Sequence, residues 1–238
     1  MAEYGLEIKN VANVVQIDGN FNNLAFRSKG TAVLGEASGS TGMRYARITT
    51  GASPTSMVAV KTNGYTYLAN VIDNGNGTRT YVWIVDPGTT VTYYIFDEIE
   101  YCPPRTDKYG LIVKNKVTGK VAFDSRYKYM RVVQMLTIND FPAAWPGQST
   151  YPMSTPNPGF VQGVTGYYLQ AVPEGDPTDP GNMAWGSIYG RVCVKSSGAT
   201  AYLQTTLMDQ AHYPPGFPMP PQATYRYTTH MVLDLTGM

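Results

Sequence analysis

The chain has 238 residues, of which 43% are hydrophobic and 15% charged, with a net charge of +1. That much apolar material excludes an intrinsically disordered chain. Lys and Arg are scattered, so the basic stripe that releases counterions from nucleic acid is missing and no nucleic-acid partner is expected.

No apolar run approaches the ~20 residues of a membrane span. Met1-Ala2-Glu3-Tyr4-Gly5 has neither the basic nor the apolar region of a secretory signal, so the chain is expected to be made in a cytoplasm and to stay soluble. Tyr (19), Gly (24) and Pro (17) are abundant. Tyrosine suits half-buried strand faces, while Gly and Pro make turns. The expected fold class is therefore all-β.

Along the chain, Tyr4-Gly5-Leu6-Glu7-Ile8-Lys9-Asn10 alternates apolar and polar residues, the period of a strand with one buried face. Val15-Gln16-Ile17-Asp18 follows as its partner. Val58–Val60 reads as a strand ending at Asn63-Gly64. The turn Asp73-Asn74-Gly75-Asn76-Gly77-Thr78 separates strands at Tyr65–Ile72 and Thr80–Val85. Its faint likeness to a calcium loop lacks the closing Glu, and its glycines are not in a phosphate-loop frame. Thr92–Asp97 is a further strand, and Pro103-Pro104 forms a stiff joint.

Beyond the joint the pattern starts again. Tyr109-Gly110-Leu111-Ile112-Val113-Lys114-Asn115 repeats the first strand, and Lys116–Lys120 makes a hairpin loop with Gly119 where φ must be positive. Val121-Ala122-Phe123-Asp124 answers Val15–Asp18. Val192-Cys193-Val194-Lys195-Ser196-Ser197-Gly198 matches Val58–Gly64, and each is followed by a Tyr-Leu pair. Thr229–Asp234 matches Thr92–Asp97.

Four ordered blocks predict two tandem β-sandwich-like domains, residues 1–103 and 106–238. The second is longer by a Pro- and Gly-rich insertion at about 142–185, read as ordered loop because prolines disfavour central strands. A second loop spans Tyr213–Pro221. Long loops on a rigid sandwich are where binding concentrates. The candidate contacts there are Trp145, Tyr151, Phe160, Tyr167, Tyr168, Trp185, Tyr213 and Phe217.

Chemistry is sparse. His212 and His230 are too few for a zinc site with close ligand spacing, and no Ser stands in a nucleophile elbow. The carboxylates Asp97, Glu98 and Glu100 read as a strand end beside the joint, and Glu174, Asp176 and Asp179 lie in a Pro-rich loop without the apolar wall that would make one of them an acid catalyst. Cys102 and Cys193 read as isolated reduced thiols. No enzymatic activity, metal or cofactor is expected.

The stretch Tyr109-Gly110-Leu111 through Phe123-Asp124-Ser125-Arg126-Tyr127 to Met130-Arg131-Val132-Val133 resembles a family of small tail proteins of long-tailed bacteriophages. The resemblance covers about 25 residues of the second copy. The first copy keeps the opening strand and Asp18 but has Gly19–Leu24 in place of the Arg- and Tyr-bearing segment. The resemblance implies a virion structural protein of the tail tip, baseplate or fibre base, assembled in the host cytoplasm with other tail proteins and with copies of itself in three- or six-fold symmetry. It carries no catalytic residues. Read from the residues alone, Phe123 would face inward, Asp124 would cap a turn, and Arg126 and Arg131 would pair with carboxylates or lie over Tyr rings. Two other functions stay open: a tail protein binding a host glycan or receptor through the second-copy loops, and a capsid decoration protein.

Overall fold

The computed structural model describes residues 7–9, 15–18, 23–38, 42–139, 148–174 and 184–238; for residues 7–9 and 15–18 it describes the backbone alone. The expected all-β class is what the chain forms. The first half runs β1 (Glu7–Lys9), β2 (Val15–Asp18), β3 (Ala25–Ala32), β4 (Leu34–Ser38), β5 (Met43–Thr49), β6 (Met57–Thr62), β7 (Thr66–Asp73), β8 (Arg79–Val85) and β9 (Val91–Asp97). A 3₁₀ turn at Ile99–Tyr101 leads into the second half: β10 (Ile112–Lys114), β11 (Val121–Asp124), β12 (Val132–Ile138), β13 (Gln148–Pro152), β14 (Pro158–Gln162), β15 (Tyr167–Glu174), β16 (Ala184–Ser197), β17 (Thr200–Tyr213), β18 (Ala223–Tyr225) and β19 (Thr228–Asp234). Among the described residues no helix is long and apolar enough to cross a membrane.

Two large sheets face each other. One has six strands in the order β12-β19-β14-β6-β9-β3; the other has nine, in the order β13-β17-β16-β7-β8-β5-β4 with β15 and β18 attached beside β16. Both sheets draw strands from both halves, so the division at residues 103–106 does not separate two closed sheets. The seams are short: β6 meets β14 only at Val60–Phe160, and β7 meets β16 only at Thr66–Val194. Outward from the first seam, the halves contribute β6, β9, β3 and β14, β19, β12; outward from the second, they contribute β7, β8, β5 and β16, β17, β13.

The core between the sheets follows the alternation of apolar residues. In the first half Val58, Val60, Val91 and Ile95 pack against Ala46, Ile48, Trp83 and Val85. In the second, Leu136, Phe160 and Val232 pack against Val192, Val194, Ala201 and Leu203. The outer face of the six-stranded sheet is lined by Tyr94, Phe96, Leu233 and Leu235, against which Phe26 and Met130 lie.

Two expectations from the sequence are corrected. Val58–Gly64 and Val192–Gly198 do not take matching places: the first lies in β6 of the six-stranded sheet, the second in and after β16 of the nine-stranded one. A short apolar strand followed by a Gly turn carries no information about which sheet it joins. The stretch at 142–185 also holds three strands, β13, β14 and β15, where loop was expected. Its prolines sit where strands tolerate them. Pro152 ends an edge strand, and Pro158 is the first residue of the interior strand β14. Pro173 lies in the part of β15 that pairs on one side alone.

The hairpin β10–β11 and its counterpart β1–β2 share one register. Ile112, Val113 and Lys114 pair with Asp124, Phe123 and Val121, as Glu7, Ile8 and Lys9 pair with Asp18, Ile17 and Val15, each with an irregularity before the lysine. Gly119 turns the hairpin with φ of 71°.

The closing aspartates of the two halves are tied alike. Asp97 is fully buried and accepts hydrogen bonds from Arg27 (2.7 Å), Ser53 (2.6 Å) and Thr55 (2.8 Å). Asp234 accepts from Thr155 (2.9 Å) and pairs with Arg131 (3.0 Å). In both halves a carboxylate at the end of one strand fixes the turn leading into its neighbour.

Candidate docking face

The residues of the tail-protein resemblance form an internal knot. Arg126 grips Asp124 with two donors, Nε at 2.8 Å and NH2 at 2.5 Å, and its backbone N–H caps the same carboxylate. These bonds hold the Asp124 carboxyl below its usual range. Gly110 lies under the Arg126 stem, where an added Cβ would sit 2.7 Å from Cγ. Ser125 and Leu111 exchange hydrogen bonds. The Tyr127 hydroxyl donates to the Pro103 carbonyl, and Arg105 lies over the Tyr127 ring, tying the joint to the knot. Phe123 is half-buried and stacks on Tyr129 at 4.8 Å, while Ala122 and Asp124 are the buried residues of that strand. Arg131 pairs with Asp234, and Met130 lines the outer apolar cluster. Tyr109 stands furthest out into solvent among these side chains, 90% exposed, with Leu111 at 49%.

Glu100 pairs with Lys120, and His212 Nδ1 lies 2.7 Å from Glu174 in an exposed pair. Asp176 and Asp179 lie outside the described residues. His230 is wholly buried, edge-on to Phe160, and burial pushes its pKa down to about 4. Among the described residues no group of three His, Cys, Asp or Glu could hold a metal ion. A shallow cleft of about 310 Å³ lies by the seam, but its lysine, Lys61, already donates to Asn157.

The predicted contact residues divide. Trp145 lies outside the described residues. Phe160 is fully buried and Tyr168 is 3% exposed, so both are corrected from contacts to core. Alternation turns Phe160 inward, and the Tyr168 ring lies against Gly190 of the paired strand, where an added Cβ would approach within 2.0 Å. Tyr151 packs on the core of the second half. Tyr167, Trp185, Tyr213 and Phe217 remain at the surface, Tyr213 and Phe217 as a tilted ring pair.

Tyr167 belongs to a feature built by strands, not by the loops. β16 and β17 have 14 residues each, against 8 and 7 for β7 and β8, which occupy the matching places in the first half. The excess forms a wing that β15 and β18 extend. Across it, facing residues make a row: Tyr225 opposite Tyr167, and Tyr167 opposite Arg191. The Arg191 guanidinium carbon lies 5.0 Å from the Tyr167 ring centre and 5.2 Å from that of Tyr189. Tyr167 stacks with Tyr225 at 6.1 Å, and Tyr225 meets Tyr227 edge-on.

The row continues into an aromatic cluster on the outer face of the nine-stranded sheet, where Tyr65, Tyr67, Tyr189 and Tyr202 surround the buried Cys193. Lys195 lies over Tyr65 and Tyr202, and Arg47 over Tyr45. Desolvation raises the pKa of Tyr65 and, more strongly, that of Tyr67, with the Cys193 thiol pushed up to about 12. These groups are neutral at ordinary pH, so the cations are the charges on the cluster itself. Asp209, opposite Tyr189, and Asp86, which accepts from the Tyr65 N–H, are carboxylates at its margins.

The sequence did hold a signal here. Tyr189, Arg191, Cys193 and Lys195 alternate along β16 and therefore share a face. The alternation does not reveal that Tyr167 arrives from another strand to enclose Arg191. Comparison of the chain with known protein families, curated proteins and solved structures found no match.

Proposed function

We propose that this protein is a structural component of a bacteriophage tail, at the tip, baseplate or fibre base, and that it works by docking onto neighbouring subunits. The observation that carries the assembly part is the Tyr- and Arg-rich face of the second-half wing. Tyrosine and arginine are the residues in which the energetic centres of protein interfaces are enriched. The tail part is supported by the resemblance at Tyr109–Val133, whose residues serve as scaffold in this chain. The reading includes several copies per virion in three- or six-fold symmetry. Mass spectrometry and electron microscopy of purified particles test it: density for the chain in the tail is expected. Absence from particles overturns the reading, and density on the head shell makes it a capsid decoration protein instead.

One observation favours a second reading, host-glycan or receptor binding. The Phe217 ring is 54% exposed beside Tyr213 in a Pro-rich loop, and an exposed ring can stack on a sugar. Removing residues 214–221 should then abolish adsorption to host cells; unchanged adsorption eliminates this role.

A further inference from the structure

We infer that the row Tyr225–Tyr167–Arg191 seats a carboxylate of a neighbouring, non-identical protein subunit, so that the wing is the docking point for an acidic protein surface. The inference rests on the assembly reading and names the chemistry of the partner.

Arg191 carries the argument. Its guanidinium lies against two tyrosine rings, and its Nε–H is buried with no hydrogen-bond partner. No carboxylate is paired with it in a salt bridge among the described residues. Arg191 as a whole is half-buried, so its charge is only partly compensated by water, and an arriving carboxylate can accept charge-assisted hydrogen bonds from it. The aromatic rings hold the guanidinium in place before the partner binds, so little side-chain entropy is lost on docking.

The same geometry weighs against two other occupants. Sugar stacking needs a free ring face. Tyr167 already contacts Arg191 and Tyr225, and Tyr189 already contacts Arg191. A second copy docking wing to wing with Arg191 at a two-fold axis would set Arg191 against Arg191, a repulsive contact. The site is also confined to the second half, because its strands β15 and β18 lie beside the β16 extension, away from the shared path of the sheet. It adds an attachment point to one half of the frame.

The test uses the full chain with a synthetic oligoglutamate peptide as probe, read by fluorescence anisotropy, with oligoglutamine as the neutral control and oligogalacturonate as an acidic glycan. The expected result is binding of oligoglutamate that weakens as salt is added, with no binding of oligoglutamine. Arg191→Met, which keeps the apolar stem, should reduce oligoglutamate affinity about tenfold or more. Tyr225→Ala, at an exposed position, should weaken it with the melting temperature unchanged, and this keeps the test decisive if Arg191→Met folds poorly. Absent binding, equal affinity in both variants, or tighter binding of oligogalacturonate than of oligoglutamate overturns the inference. Each of these outcomes leaves the presence of the chain in tails as a separate question, answered by particle composition.

Discussion

The side-chain amide of Gln162 makes both hydrogen bonds of a backbone position in the opposite sheet: the Leu68 N–H donates to Oε1 at 2.9 Å, and Nε2 donates to the Leu68 carbonyl at 3.1 Å. Gln162 ends β14 of the six-stranded sheet. Leu68 lies in β7 at a bulge, just beyond the single bridge to β16. The amide supplies the donor and acceptor that the seam lacks. Gln162→Leu leaves a part-buried N–H and C=O unpaired, which should cost about 1–3 kcal/mol. Urea denaturation of the variant measures this; a loss below about 0.5 kcal/mol would show that the backbone finds other partners.

The two closing aspartates should differ in value. Asp97 is fully buried and its partner Arg27 is 19% exposed, whereas Asp234 is 19% and Arg131 52% exposed. Asp97→Ala strands a desolvated cation and two hydroxyls, at an expected cost of about 3–5 kcal/mol. Asp234→Ala should cost about 1 kcal/mol, since its ion pair is screened by water. Parallel denaturant titrations would refute the assignment if the order were reversed.

His230 makes stability depend on pH. Its folded pKa of about 4 lies below the ordinary 6.5, so the unfolded chain takes up the proton first. The contribution is fully present above pH 6.5 and is lost as pH falls towards 4, to a total of about 3 kcal/mol. His230→Phe should flatten this part of the stability profile relative to the parent chain. Parallel profiles for the two proteins between pH 6.5 and 4 would exclude it.

Both thiols should be inert in the folded protein. Burial raises Cys102 to about 11 and Cys193 to about 12, so neither is ionised at neutral pH. Iodoacetamide should leave the native chain unmodified and label both cysteines in denaturant, as mass spectrometry would show. Native labelling of Cys193 would mean that the tyrosine cover opens.

The sequence disclosed what is local. The β10–β11 hairpin was legible because alternation and the Gly119 turn lie within a few residues of each other, and Arg131 met a carboxylate as its chemistry required. The strands at 148–174 were obscured by prolines whose harm depends on the ladder around them: Pro158 begins a strand and costs little there, which only the pairing shows. Phe160 looked like a loop aromatic for the same reason. The setting of Arg191 is built by three strands, and the chain between Tyr167 and Arg191 gives no hint that they meet. The packing role of His230 is legible because Thr229–Asp234 resembles Thr92–Asp97, which aligns His230 with Tyr93.

The shared sheets also impose an order on biosynthesis. When the first half leaves the ribosome, β6 and β7 each present an edge whose neighbours, β14 and β16, have not yet been made. The nascent chain carries two open edges through the synthesis of roughly a hundred further residues, the interval in which stray pairing between chains is most damaging. Growth conditions that slow translation or crowd nascent chains together should therefore lower the yield of this protein more than that of one whose leading half closes its own sheets.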